Sequence, residues 1–157
     1  KDLAIFTINS ERYCFNERGE MQTGLQSLKQ ADGSFASYYF GDDGVMRTGK
    51  QTIYNDDLEE NQIWYFQTKG SLKGQGYHGE RDNQVYVNGL LKKADPELRY
   101  EPVSIGEKRY LVNTSGTIQK ATSSSSSASR PELGKGFKDI KDSNDTAWTV
   151  DTSGIIQ

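Results

Sequence analysis

Short runs of alternating apolar and polar residues recur along this chain, and each leads into a polar stretch that ends in glycine. The first reads Tyr13-Cys14-Phe15-Asn16-Glu17-Arg18-Gly19-Glu20-Met21-Gln22-Thr23-Gly24, the second Tyr38-Tyr39-Phe40-Gly41-Asp42-Asp43-Gly44-Val45-Met46-Arg47-Thr48-Gly49. A third reads Trp64-Tyr65-Phe66-Gln67-Thr68-Lys69-Gly70-Ser71-Leu72-Lys73. Two later repeats have drifted, one around Tyr110, Val112, Gly116 and Ile118, the other around Trp148, Val150, Gly154 and Ile156. In each, an aromatic stands six places before the glycine, Phe or Val four before, and Met, Leu or Ile two after. Alternate residues of a strand share a face, so Tyr38 and Phe40 are expected on one side and Tyr39 on the other. The glycine supplies the positive φ of a tight turn. The pattern predicts hairpins over residues 13–24, 38–49 and 64–73, turning near Gly19, Gly44 and Gly70, with Gly116 and Gly154 as later equivalents. Met46 or Leu72 begins the returning strand, and Thr48-Gly49 ends it.

A lone hairpin is marginal in water, so successive hairpins must stack and bury each other's rings. The predicted fold is all-β: a solenoid of stacked β-hairpin repeats, irregular in the middle, with a serine-rich linker before the last repeat. The solenoid is expected over residues 1–120, the linker over 121–130 and a final repeat over 131–157. Ile5 to Ile8 forms an opening strand, Asn55 to Gln62 an acidic loop before the third repeat, and Gly136 to Ile140 the strand before the last. Residues 81–120 are expected to be irregular because Pro96 and Pro102 limit pairing there. Val85 to Leu91 reads as a degenerate repeat. The expected core is Tyr13, Phe15, Tyr38, Phe40, Phe66, Tyr110 and Trp148. Tyr39, Trp64 and Tyr65 stand open between core and ligand-facing roles, since Tyr and Trp carry polar handles suited to partial exposure.

Composition sharpens this picture. Leu, Ile, Val and Phe make up just under a fifth of the 157 residues, at the edge of what offsets ordering entropy. Nine Tyr, six Phe and two Trp therefore supply burial that aliphatics normally provide, which disfavours one thick core. A net charge of −3 without a Lys/Arg cluster argues against nucleic acid, whose binding rests on phosphate neutralisation. No run of about eighteen apolar residues occurs, so no membrane insertion is expected. The start at Lys1 shows neither a signal peptide nor a lipidation motif, and the ends read as those of a piece of a longer protein. Cys14 is the sole cysteine and reads as a small buried apolar residue.

The aromatic–hairpin–Met–Thr-Gly stretch from Tyr38 to Gly49 resembles the cell-wall-binding repeat family. That family includes choline-binding modules of pneumococcal surface proteins, glucan-binding repeats of streptococcal glucosyltransferases and related repeats of clostridial toxins. The resemblance implies a left-handed spiral of hairpins with ligands held among aromatic rings between consecutive hairpins. It also implies a non-catalytic, extracellular attachment module on a Gram-positive surface or secreted protein. Choline-type repeats carry Trp seven residues before the turn glycine, where this chain has Arg12, Ser37, Ile63 and Arg109. A second Trp follows their Thr-Gly, where this chain has Leu25 and Lys50. A quaternary ammonium needs a cage of ring faces, so choline is expected to bind weakly.

Catalytic chemistry finds little purchase. His78 is the only histidine, and a triad needs an orienting partner as well. Gly74-Gln75-Gly76-Tyr77-His78-Gly79 matches a dinucleotide fingerprint literally but leads into no helix, and reads as an inter-hairpin loop. Asp42-Asp43 and Asp56-Asp57 read as solvated turn formers, and no metal or cofactor is expected. The expected ligand site lies between the second and third hairpins, at Tyr39, Trp64 and Tyr65 with Met46 as apolar floor. The expected partner is a cell-wall polymer or glucan at the cell surface. The alternatives are a structural spacer or protein-interaction stalk, or the accessory binding part of a wall hydrolase or glycosidase.

Overall fold

The aromatic strands of the first two repeats find partners on both sides, one of them the short return strand expected from the glycine turn. The structure, a computed structural model, describes residues 2–121, 140, 141, 144 and 147–157. Among these it holds fifteen β-strands and no helix, arranged in small antiparallel sheets, none closed. Among the described residues no helix is long and apolar enough to cross a membrane. The chain forms two compact units, Lys1–Tyr77 with Asn88–Leu90, and His78–Val87 with Leu91–Gln157. The serine run and Gly136 to Asp139 lie outside the described residues.

In the first unit, β1 (Ala4–Ile8), β2 (Glu11–Phe15) and β3 (Met21–Gln22) make one sheet. β4 (Gly24–Lys29), β5 (Phe35–Phe40) and β6 (Met46–Arg47) make another, and β7 (Gly49–Asn55) pairs with β8 (Glu60–Phe66). The expected hairpins are present as Phe15 opposite Met21 and Phe40 opposite Met46. The longer ladders run on the other side, for example from Gly24 opposite Phe40 to Lys29 opposite Phe35. Gly24 and Gly49, with φ of 76° and 79°, begin β4 and β7 rather than end the return strands. They are the points where the chain leaves one sheet and enters the next.

The glycine turns share one hydrogen-bond scheme. Gly19 N–H donates to Asn16 C=O (2.9 Å) and Asn16 N–H to Glu20 C=O (3.0 Å). The same pair recurs as Gly44 to Gly41 with Gly41 to Val45, Gly116 to Asn113 with Asn113 to Thr117, and Gly154 to Asp151 with Asp151 to Ile155. In the third repeat the bonds are Gly74 to Gln67 and Gln67 to Gln75, and Phe66 bridges Gly76. That turn is thus wider than expected. Gly74 holds the equivalent position, Gly70 lies inside the enlarged loop, and Leu72 is exposed instead of starting a strand. Residues 74–79, read as a loop, join the ladder at Gly76 and open β9 at Gly79.

The same side chain stacks one repeat on the next. A Cβ at Gly44 would collide with the sulfur of Met21, and one at Gly74 with the sulfur of Met46. At Gly89 the neighbour is Gly76, whose own Cβ position abuts Asn88 and Gly89 backbone. In the second unit the pairs are Leu91 on Gly116 and Ile118 on Gly154. The residue two places after each turn glycine therefore sits on the next turn glycine, so the Met/Leu/Ile and Gly positions form one contact.

Two further expectations change. Asn55 to Gln62 is no inserted loop: Asn55 ends β7, Glu60 to Gln62 begin β8, and Asn55 pairs with Glu60. Only residues 56–59 turn, with Glu59 at φ 54°. Residues 81–120 are irregular only in part: 92–99, around Pro96, hold no strand, but strands flank them. β9 (Gly79–Arg81) pairs with β10 (Gln84–Val87), and β12 (Tyr100–Ile105) with β13 (Lys108–Asn113) over six residue pairs. Pro102 is accommodated because β12 pairs with β13 on one side only and is an edge strand. Three two-residue turns carry positive φ at both positions: Asn9-Ser10, Asp82-Asn83 and Asn88-Gly89, the last leading into β11 (Leu90–Leu91). β14 (Ile140–Lys141) pairs with β15 (Ala147–Trp148). The second unit's cores gather Val85, Val103, Tyr110, Val112 and Ile118, and Tyr100, Leu111, Ala121 and Val150 against Trp148.

Candidate functional site

Alternation along β5 turns Ala36, Tyr38 and Phe40 into a core with Cys14 and Leu28, and turns Tyr39 the other way. Along β8 the same parity pairs Trp64 with Phe66 and opposes Tyr65. Tyr39 stacks on Phe66 with centroids 6.0 Å apart and planes at 17°, and Phe66 stacks on Trp64 at 6.0 Å and 3°. Phe66 is fully buried in the middle of this row, while Tyr39 and Trp64 at its ends are half-buried. Gln51 and Leu90 flank Trp64 in the ladder. The absent side chain of Gly89 makes room for the indole. Trp64 Nε1–H is shielded from solvent and donates to no acceptor.

The four expected ligand residues separate. Tyr39 and Trp64 share the row through Phe66. Tyr65 points to the opposite face of β8 and meets Tyr77 edge-on, at 6.0 Å and 89°. Met46 is no floor beneath Tyr39. As the partner of Phe40 it faces the Cys14–Phe40 core, because a neighbour in an antiparallel pair lies on its partner's side. The residues beside Tyr39 are Leu25 and Arg47. Arg47 is held by Asp43 (Nη2 to Oδ1, 3.0 Å) and donates from Nη1 to Val45 C=O (2.9 Å). Asp43 also accepts from Val45 N–H (2.9 Å), and this bond, followed by the Arg47 guanidinium, holds its carboxyl below the ordinary range.

Of the expected core residues, Tyr38, Phe40, Phe66 and Tyr110 are buried, and Trp148 packs half-buried beside Arg109, whose guanidinium lies 6.0 Å from its ring centroid. Burial pushes the Tyr110 hydroxyl above its ordinary value, with Glu80 and Asp151 adding to it. Tyr13 and Phe15 depart from the expectation: they are half-buried, and the buried residue of β2 is Cys14. They lie on the face equivalent to Tyr38 and Phe40, but no further hairpin covers that face among the described residues.

Asn88 was not foreseen. Its Oδ1 accepts from Ser37 N–H (3.2 Å) and its Nδ2 donates to Phe35 C=O (3.4 Å), closing the side of β5 beyond β6. The Asn-Gly dipeptide is the sequence signal that would have located this turn. His78 is exposed, and among the described residues no group of three or more His, Cys, Asp or Glu could hold a metal.

No family model matches the chain, and no curated protein matches it. Solved structures do. Alternansucrase in complex with isomaltononaose is similar at 16% identity and TM-score 0.48, over 99% of this chain and 10% of that one. CbpJ of Streptococcus pneumoniae TIGR4 is similar at 18% identity and TM-score 0.41, over 98% of this chain and 48% of that one. The choline-binding domain of CbpL from Streptococcus pneumoniae is similar at 13% identity and TM-score 0.38, over 98% and 96%. The chain thus spans about a tenth of the alternansucrase it matches and about half of CbpJ.

Proposed function

We propose that this chain is a non-catalytic, extracellular binding module that attaches its parent protein to a cell-wall polymer or glucan, its hairpins stacking as a solenoid. The observation that carries this reading is the Tyr39–Phe66–Trp64 row, whose outer rings are only half-buried, with Arg47 beside Tyr39 and Gln51 beside Trp64. The C–H face of a sugar packs on an aromatic face, and flanking polar side chains reach its hydroxyls. Such contacts are weak singly, and repetition along a polymer raises effective concentration. A quaternary ammonium suits the row less well, because it needs several ring faces around it and Arg47 brings a like charge beside Tyr39. Complete burial of Phe66 favours a second reading, in which the row only packs and the chain is a spacer.

Calorimetric titration of a glucan oligosaccharide, purified wall polymer and choline tests these readings. Glucan or wall polymer should bind, and Trp64→Ala and Tyr39→Ala should each weaken binding about tenfold, the loss of one good contact. Choline should bind more weakly than either. Choline binding tighter than polymer binding would overturn the ligand assignment. Silence toward all three would leave the spacer.

A further inference from the structure

The outer edge of β1 differs from the other edges of the molecule. β1 pairs only with β2 among the described residues, and its sequence, Ala4-Ile5-Phe6-Thr7-Ile8, carries no charge and no proline. Native edges are normally blunted by such residues. The other strands of three or more residues that pair on one side only follow this rule. β4 has Lys29, β7 has Lys50, β9 has Glu80 and Arg81, and β12 has Glu101 and Pro102. On β1, Ile5 faces the Cys14 core, while Phe6 and Ile8 on the opposite face are 53% and 45% exposed. Phe6 meets Phe15 edge-on at 5.8 Å, and the two border an open groove of about 660 Å³ with Ala4 and Ile8.

We propose that β1 is a self-association edge, pairing antiparallel with β1 of a second molecule about a two-fold axis at Phe6. The strand is complementary to itself in that register. Ala4 falls opposite Ile8 of the second molecule, a small side chain beside a larger one, and Phe6 falls opposite Phe6. Directly opposed residues share a face, so the two Phe6 rings meet as a cross-strand aromatic pair. Two three-stranded sheets become one of six, the unpaired N–H and C=O groups of both edges find partners, and no charge is buried. Because the operation is a two-fold, it closes at the dimer and leaves neither β1 edge open.

Sedimentation velocity over micromolar to millimolar protein tests this directly. The weight-average mass should rise toward twice the monomer, Phe6→Lys should hold it at the monomer, and Leu58→Lys, an equally exposed apolar position elsewhere, should leave association unchanged. If Phe6→Lys disturbs folding, Ile8→Lys repeats the test on the same edge. Under a glutathione redox buffer, Phe6→Cys should form a disulfide-linked dimer, and Leu58→Cys should not. Association indifferent to both lysine variants, or a Phe6→Cys protein that stays unlinked, would overturn the proposal. So would a monomer throughout, as expected if this edge were reserved for another hairpin of the same repeat type.

Discussion

The sheets β1-β2-β3 and β4-β5-β6 carry the same motif and experience it differently. In the second, Leu28, Ala36, Tyr38 and Phe40 are buried against Cys14, Leu3 and Ile5 of the first. In the first, the equivalent face bears half-buried Tyr13 and Phe15 and exposed Phe6 and Ile8. Gly44 has the Met21 sulfur upon it, whereas a Cβ at Gly19 would meet nothing. The motif decides which way each ring points, and the neighbouring hairpin decides whether that direction is interior. A repeat side chain therefore takes much of its energetic weight from the repeat stacked against it.

The largest test of this difference is truncation of the paired phenylalanines. Phe40→Ala empties a filled site and should cost about 3–5 kcal/mol. Phe15→Ala removes a half-wetted ring and should cost about 1 kcal/mol, near the centre of the usual distribution. Equal losses in urea denaturation would mean that the first face is covered in solution. Next come the glycines. Gly19→Ala and Gly44→Ala both force a left-handed φ, at about 1–2 kcal/mol each. Gly44→Ala must in addition displace Met21, and should be the worse of the two. Adding Met21→Ala should return part of the Gly44→Ala loss and none of the Gly19→Ala loss. A double-mutant cycle with coupling below about 0.5 kcal/mol would remove the stacking contact from the account.

The smallest effect separates the two turns by pH. Asn16 Oδ1 accepts from the N–H groups of Arg18 and Glu20 (3.0 and 2.9 Å), and an amide does not titrate. Asp43 performs the related task at Val45 as a carboxylate with a lowered native pKa. Its ionised form favours the native state. The contribution is therefore complete above the unfolded value of about 3.9 and disappears as pH falls through the lower native value. Melts carried below about pH 4 should show Asp43→Asn flattening that decline and Asp42→Ala leaving it alone. A decline untouched by Asp43→Asn would place the acid sensitivity elsewhere.

Much of the molecule was legible because its rules are local. Period-two alternation put Tyr38 and Phe40 on one face and Tyr39 on the other, and a glycine three residues beyond Asn16, Gly41, Asn113 or Asp151 marks its turn. The all-β class follows from such repeats in a chain poor in aliphatics. The outgoing strands β4, β7 and β12 were harder to read, since sequences such as Gly24-Leu25-Gln26-Ser27 and Tyr100-Glu101-Pro102 carry weak alternation and gain order only from the ladder they join. Asn9-Ser10, Asp82-Asn83 and Asn88-Gly89 were available as turn signals and point to those ladders.

The ligand residues show where local rules end. Sequence alone identified Tyr39 and Trp64 as rings without an obligatory core role. It did not tell that Phe66 would stand between them, that Tyr65 would turn toward Tyr77, or that Arg47 rather than Met46 would lie beside Tyr39. It likewise could not separate Gly70 from Gly74, because both tolerate positive φ and only the approach of Met46 tells them apart. The direction of a side chain follows from backbone periodicity, which neighbouring residues set. Its burial, its ring partners and the open space beside it come from residues far away in the chain, and those are specified only once the hairpins pack.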